Sequence, residues 1–149
     1  MRSLAILVSL LVALAAAGCG DDDAEDTYKN DFPPISGQLV SLGNQIGESI
    51  QGASQSSDEQ LADDFGNYAK ELGDLQQQLD ELEPPDDLAG DQDALVSAMG
   101  EAQGALEDIA GAAEQGDPDA ARDATTQLIR SSGQLRDSRR TLARTVREL

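Results

Sequence analysis

The sequence has no histidine, no tryptophan and a single cysteine among its 149 residues. Without histidine it lacks the base of the usual serine and cysteine triads and the commonest ligand of transition metals. Its two lysines do not fall in a Ser-x-x-Lys pattern, and Asp91 and Asp93 do not continue into the pattern of a calcium loop. We therefore expect a protein that is not an enzyme and that uses no metal and no cofactor.

Aromatic and basic residues are scarce as well. The chain has only two tyrosines and two phenylalanines, whereas sites that stack bases or flat cofactors usually rely on aromatic rings. Its 29 acidic residues outnumber its 10 basic ones, which gives a formal net charge of −19. A charge of that sign repels the phosphates of DNA and RNA. The composition therefore predicts no nucleic-acid partner.

The few basic residues are concentrated near the C-terminus. Between Gly20 and Asp117, 25 acidic residues accompany only Lys29 and Lys70, whereas seven arginines and four acidic residues follow from Pro118 onward. One interpretation is intramolecular, with a basic last helix lying beside acidic ones. The other is a basic patch that binds an acidic partner, and the sequence leaves both open.

An apolar stretch occupies residues 4–17, directly after Arg2. It has about 14 residues, fewer than the roughly 20 that a membrane-spanning helix needs, so an export signal is the better interpretation. The stretch ends in Ala16-Ala17-Gly18-Cys19, which resembles the lipobox of bacterial lipoproteins, although that family usually has leucine where Ala16 stands. The resemblance implies cleavage between Gly18 and Cys19, a diacylglycerol on the Cys19 sulfur, and often acylation of the new amine.

Lipidation would also account for the lone cysteine of an exported chain. We therefore expect residues 1–18 to be a lipoprotein signal peptide and the mature protein to be held by its lipid at the extracytoplasmic face of the cell membrane. The acidic stretch from Gly20 to Asn30 has few apolar residues. Residues 19–31 are accordingly predicted to be the lipidated cysteine and a flexible tether, and residues 32–149 the folded domain.

Four apolar stripes with helical spacing follow the tether. The first runs from Ile35 to Ile50 after Pro33 and Pro34, which suit a helix start. The second is an unbroken heptad seam from Leu61 to Leu82, with a capping box at Ser57 and Gln60. The third spans about Asp87 to Glu114 and ends at Gly116, and the fourth begins at Asp117-Pro118.

Four long helices joined by short turns predict an all-α fold, an antiparallel four-helix bundle with up-down-up-down topology. The alternative is a three-helix bundle with a loosely attached first helix. Glycines inside the predicted helices would each cost ~0.8–1 kcal/mol relative to alanine, unless they allow helices to pack closely. There are eight of them: Gly43, Gly47, Gly66, Gly73, Gly100, Gly104, Gly111 and Gly133.

Two functional hypotheses fit this architecture. The first is a non-catalytic envelope lipoprotein whose bundle contacts another envelope protein or acts as a spacer. The second is an extracytoplasmic carrier or sensor that binds a small apolar or cationic ligand between its helices, with Tyr68, Gln92, Ser131 and Ser138 marking the pocket. Tyr68 has a competing structural role, in which its hydroxyl bonds Gln92 or a serine of the fourth helix and fixes helix register.

Overall fold

The computed structural model describes residues 21–149, with side chains from residue 25 onward. It contains four α-helices: α1 (Asp21–Gly52), α2 (Asp58–Asp80), α3 (Asp86–Gln115) and α4 (Pro118–Glu148). A single 3₁₀ turn, Ala53–Gln55, lies between α1 and α2, and the described part of the chain has no strand. The helices pack against one another in the predicted all-α four-helix bundle.

The two ends of the bundle carry different loops. The lower end carries the start of α1, the α2–α3 connection and the end of α4, and the upper end carries the α1–α2 and α3–α4 connections. α3 is the central helix, because it packs along both α2 and α4, whereas α1 packs mainly on α2 and only lightly on α4. Ala98, Ala105 and Ala112 are all buried on α3, where small side chains let the neighbouring helices approach closely.

The predicted caps are confirmed. The Ser57 hydroxyl accepts a hydrogen bond from the Gln60 amide at 3.2 Å, and the Gln60 side chain accepts one from the Ser57 amide at 3.1 Å. Gly116 ends α3 with φ 62°, the left-handed conformation that glycine adopts without a steric penalty. The Asp117 carboxylate accepts two backbone N–H groups in the first turn of α4. These local signals fix three of the helix boundaries.

The start of α1 was predicted wrongly. The sequence suggested a tether up to residue 31 and a helix beginning at Pro33-Pro34, but α1 begins at Asp21. Tyr28 and Phe32 are each only 1% exposed and belong to the core, so the folded domain includes residues assigned to the tether. The stripe from Tyr28 through Phe32 to Ile35 continues the first apolar pattern at helical spacing. This burial also rules out a loosely attached first helix.

Pro33 and Pro34 lie inside α1, where proline removes the bond that its N–H would donate to the carbonyl four residues earlier. Both prolines are on the exposed side of the helix. The carbonyls they leave unpaired, those of Lys29 and Asn30, can therefore be hydrated. Acidic residues are also common in the first turn of a helix, so the acidic run before Tyr28 does not exclude a helical start.

Most of the glycines inside the helices do not serve close packing. A β-carbon added at Gly43, Gly47, Gly66, Gly104 or Gly133 would meet no other atom within 4 Å. Gly73 is the exception, because its added β-carbon would lie 3.2 Å from the flexible amide of Gln103. The explanation by close helix packing is therefore wrong for these five positions, and three of them, Gly43, Gly47 and Gly133, border the groove described below.

Candidate ligand-binding groove

Tyr68 lies at the middle of α2 and is half-buried. Its hydroxyl is 2.8 Å from the hydroxyl of Ser49 on α1, and its ring meets that of Phe65 edge to face at a centroid distance of 5.9 Å. The predicted partners of Tyr68, which were Gln92 or a serine of α4, are therefore not the ones it uses. Tyr68 links α1 to α2 and fixes their register.

Gln92 is buried and joins three elements near the lower end. Its side-chain oxygen accepts a hydrogen bond of 2.6 Å from the Tyr28 hydroxyl. Its amide nitrogen donates to the backbone carbonyls of Leu79, near the C-terminal end of α2, at 3.1 Å and of Leu82, just after that helix, at 3.2 Å. Every polar atom of this side chain has a partner within the protein, so Gln92 has a structural role.

The two serines lie apart from these networks. Ser131 is 2% exposed, and its hydroxyl donates to the Leu128 carbonyl of its own helix at 3.2 Å. Ser138 is half-buried about two turns further along α4. The structure thus gives Tyr68, Gln92 and Ser131 separate hydrogen-bond partners and does not bring the four residues together as a pocket.

An open groove lies elsewhere, between α1 and α4, with a volume of about 710 Å³. Residues between Leu39 and Ile50 form the α1 wall, and residues between Leu128 and Arg140 form the α4 wall. Leu72 of α2 with Ala102 and Leu106 of α3 form the floor, which reaches the centre of the bundle. At ~1.5 Å per helical residue, each wall is about 16–18 Å long. Its volume is within the ~300–1,000 Å³ usual for small-molecule sites.

The lining of this groove is mainly apolar, with Asn44 and Ser132 as its uncharged polar residues, and it is basic at its lower end. Val40, 43% exposed, and Ile129, 65% exposed, lie on opposite walls and are the exposed large hydrophobic residues of the described chain. Arg136, Arg139 and Arg140 lie at the lower end, and no acidic side chain lines any part of the groove. In a chain with 29 acidic residues, this is a distinct electrostatic environment.

Arg139 is the most constrained of the three arginines. It is half-buried, and its guanidinium donates a hydrogen bond of 3.0 Å to the hydroxyl of Ser36, a buried residue of α1. Burial, and then the nearby Arg140 guanidinium, lower the pKa of Arg139 from its usual value. The Ser36–Arg139 bond holds the two walls together at the lower end, and the like charges of Arg139 and Arg140 favour an anion there.

Direct ion pairing does not neutralise α4. The ion pairs among the described side chains are Lys29–Glu25 at 3.9 Å, Arg122–Asp119 at 2.8 Å and Arg136–Asp137 at 3.5 Å. Each joins residues of one helix, so no described acidic side chain of another helix forms an ion pair with an arginine of α4. The Arg136–Asp137 pair is also largely exposed, and exposed pairs contribute little.

A second concavity, of about 520 Å³, lies at the upper end between the start of α2 and the end of α3. Its lining has the opposite charge, with four carboxylates and no basic residue: Asp58, Glu59, Asp63 and Glu114. The described residues include no group of three or more acidic or cysteine side chains arranged to hold a metal ion. The α1–α4 groove is therefore the better candidate for a binding site.

The sequence did not predict the groove, because a heptad pattern marks the core positions of a helix and not the residues that line an opening between two helices. Val40 and Ile129 lie off the core stripes of their helices, and such exposed apolar residues were a usable signal. The arginine cluster of α4 was noticed in the sequence, but the sequence does not show that α1 lies opposite it.

Gly18 and Cys19, the predicted cleavage and lipidation residues, lie outside the described part of the chain. Within residues 21–149, none of the helices has the combination of length and hydrophobicity that crossing a bilayer requires. In comparisons with known proteins, no protein family, no curated protein and no solved structure matches this chain.

Proposed function

We propose that this protein is a non-catalytic, membrane-anchored lipoprotein of the cell envelope whose bundle binds a ligand in the groove between α1 and α4. The observation that carries the proposal is the groove itself, an open cavity of about 710 Å³ with apolar walls and three arginines at one end. A non-catalytic role is supported by the sequence, which has no histidine and a single cysteine within the lipobox.

Ligand binding is favoured over a general surface for docking proteins. Val40 and Ile129, the exposed large hydrophobic residues of the described chain, both lie at the groove. The apolar surface is thus concave and confined between two helices, whereas protein docking patches are usually broader. This proposal keeps the ligand binding of the second functional hypothesis, but it places the ligand at a different site, whose arginines disfavour the cationic ligand considered there.

The proposed anchor is supported by the Ala16-Ala17-Gly18-Cys19 motif. If Cys19 carries the lipid, the bundle is held close to the bilayer, because Tyr28, nine residues later, is already in the core. The lower end of the bundle then faces the membrane, and the arginine end of the groove is the end of the groove that lies nearer to it. A dozen-residue flexible tether is not needed in this arrangement.

A native mass spectrum of the protein gently extracted from its host membrane tests both parts. We expect the mass of residues 19–149 with acyl chains, plus a small-molecule adduct. Gly47→Leu adds a side chain at the wall of the groove, where a β-carbon meets no atom within 4 Å. This variant should keep its acyl chains and lose the adduct.

The matched control is Gly66→Leu, the same change at an exposed position of α2 that also has free space and lies outside the groove. It should keep both the acyl chains and the adduct. A wild-type mass without acyl chains would contradict the anchor. A wild-type protein with no adduct, or an adduct that persists in Gly47→Leu, would contradict ligand binding in the groove.

A further inference from the structure

The chemical character of the groove changes along its length. Above its lower end, the groove is formed mainly by leucine, isoleucine and alanine side chains, with Asn44 and Ser132 among them, and by the glycines Gly43, Gly47 and Gly133, which leave space at the walls. Its lower end has the guanidinium groups of Arg136, Arg139 and Arg140. A ligand that matches both parts has a long apolar segment and one anionic end.

The dimensions favour a single chain. The walls are about 16–18 Å long at ~1.5 Å per residue, which is comparable to an extended long-chain acyl group. At the lower end, the 3.0 Å hydrogen bond between Arg139 and Ser36 brings α4 within side-chain reach of α1. A helix of ~10–12 Å diameter cannot enter there, so an amphipathic helix is a poor occupant. A lipid with two chains and a bulky head is disfavoured for the same reason.

The charges favour a carboxylate at the lower end. Arginine presents a planar set of donors that matches a carboxylate, and such charge-assisted pairs are strong when partly buried. Arg139 is half-buried beside Arg140, and neither forms an ion pair with a described acidic side chain. An anionic head between them would reduce their mutual repulsion, and no carboxylate in the lining competes for the position.

We infer that the groove binds a long-chain fatty acid, with its acyl chain along the apolar walls and its carboxylate on Arg139 and Arg140. This inference rests on the proposed function and specifies its ligand class. The fatty acid is held by burial of the chain, and the arginines select its head group.

The test is displacement of a fluorescent fatty acid, cis-parinaric acid, from the full chain carrying Cys19→Ala, which removes the lipid-attachment thiol. Three competitors share one chain length and differ only in the head: palmitate, hexadecanol and hexadecyltrimethylammonium. We expect palmitate to displace the probe at least about tenfold more effectively than hexadecanol, as charge-assisted hydrogen bonds imply. The cationic competitor should be the weakest.

Two pairs of variants locate the interaction. Gly47→Leu should abolish specific displacement, and Gly66→Leu should leave it unchanged. The double change Arg139→Gln and Arg140→Gln should remove the preference for palmitate over hexadecanol, whereas Arg130→Gln, at an exposed α4 position outside the groove, should preserve it. All variants share residues 1–20, so any probe bound to that apolar segment is common to them and is subtracted.

Each contrary result has a separate meaning. Binding that Gly47→Leu abolishes, but that shows no preference for palmitate or prefers a hexadecyl phosphate, would overturn the fatty-acid inference and leave the proposed function in place. If Gly47→Leu affects the binding of none of the competitors, the fatty-acid inference and the proposed function are both overturned. A second copy of the chain seated in the groove, detected as a dimer that Gly47→Leu dissociates, would also overturn the inference.

Discussion

Gln92 acts as a three-way link at the scale of single residues. It accepts a hydrogen bond from Tyr28 on α1 and donates to the carbonyls of Leu79, near the end of α2, and of Leu82, just after it. Tyr28 also stacks on Phe32, with ring centroids 5.8 Å apart. One buried amide thus satisfies polar groups from two neighbouring helices and sets their register against α3.

Replacing Tyr28 with phenylalanine tests this link. At neutral pH, Tyr28→Phe should lower the free energy of unfolding by about 1–3 kcal/mol, because the buried Gln92 oxygen loses its donor. Urea unfolding followed by circular dichroism measures the difference. An unchanged urea midpoint would mean that the Tyr28–Gln92 hydrogen bond contributes nothing to stability.

The same variant carries a pH dependence with a defined sign. Burial, and then the charge of Asp91, raise the pKa of Tyr28 far above its usual range. Above about pH 10 the unfolded chain releases the tyrosine proton while the folded protein retains it, so stability falls as the pH rises, by up to ~1.4 kcal/mol per pH unit. The difference in the free energy of unfolding between wild type and Tyr28→Phe should therefore shrink between pH 10 and 11. A difference that stays constant over this range would contradict a buried, protonated Tyr28.

At the scale of helices, the sequence was sufficient wherever a cap or an unbroken seam marked the element. The heptad seam of α2, the capping box at Ser57 and the left-handed Gly116 were all identified from residue types and spacing. α1 was misjudged because Pro33-Pro34 resembles a helix start, and the exposure that makes those prolines tolerable inside a helix depends on tertiary packing. The hydrogen bond from Tyr28 to Gln92 was not predicted for the same reason, since Tyr28 had been assigned to the tether.

Removal of residues 21–31 separates the two views of this segment. A flexible tether would leave the stability of the bundle unchanged. The structure instead predicts a loss of ~2.5–6 kcal/mol, because burial of the Tyr28 ring contributes ~1.5–3 kcal/mol and the orphaned Gln92 oxygen costs ~1–3 kcal/mol. The measurement is urea unfolding of the shortened and full-length mature chains. Identical midpoints would support the interpretation of residues 21–31 as a flexible tether.

At the scale of the whole molecule, the groove was the feature least accessible to prediction. Sequence periodicity shows which face of each helix is apolar, but it does not give the distance between two helices that are far apart in the chain. α1 and α4 approach each other only lightly, and the resulting space depends on how all four helices share the core. The basic cluster on α4 was visible in the sequence, and its role became specific only when α1 was found opposite it.

The net charge of −19 should also govern stability as a whole. Like charges destabilise a compact state, and the few described ion pairs each lie within one helix. Raising the NaCl concentration from ~0.01 to ~0.15 M shortens the screening length from ~30 to ~8 Å and should therefore raise the melting temperature. Choline chloride at equal ionic strength should act similarly, and a lower melting temperature in both salts would contradict net repulsion.

The hydrogen bond between Ser36 and Arg139 joins residues 103 positions apart in the chain. The α2–α3 and α3–α4 pairs meet across short turns, so they can form early, whereas closing α4 against α1 requires the longest loop in the fold. We therefore expect the groove to be completed late in folding, and until then the apolar residues of α1 that form its wall have no partner on α4.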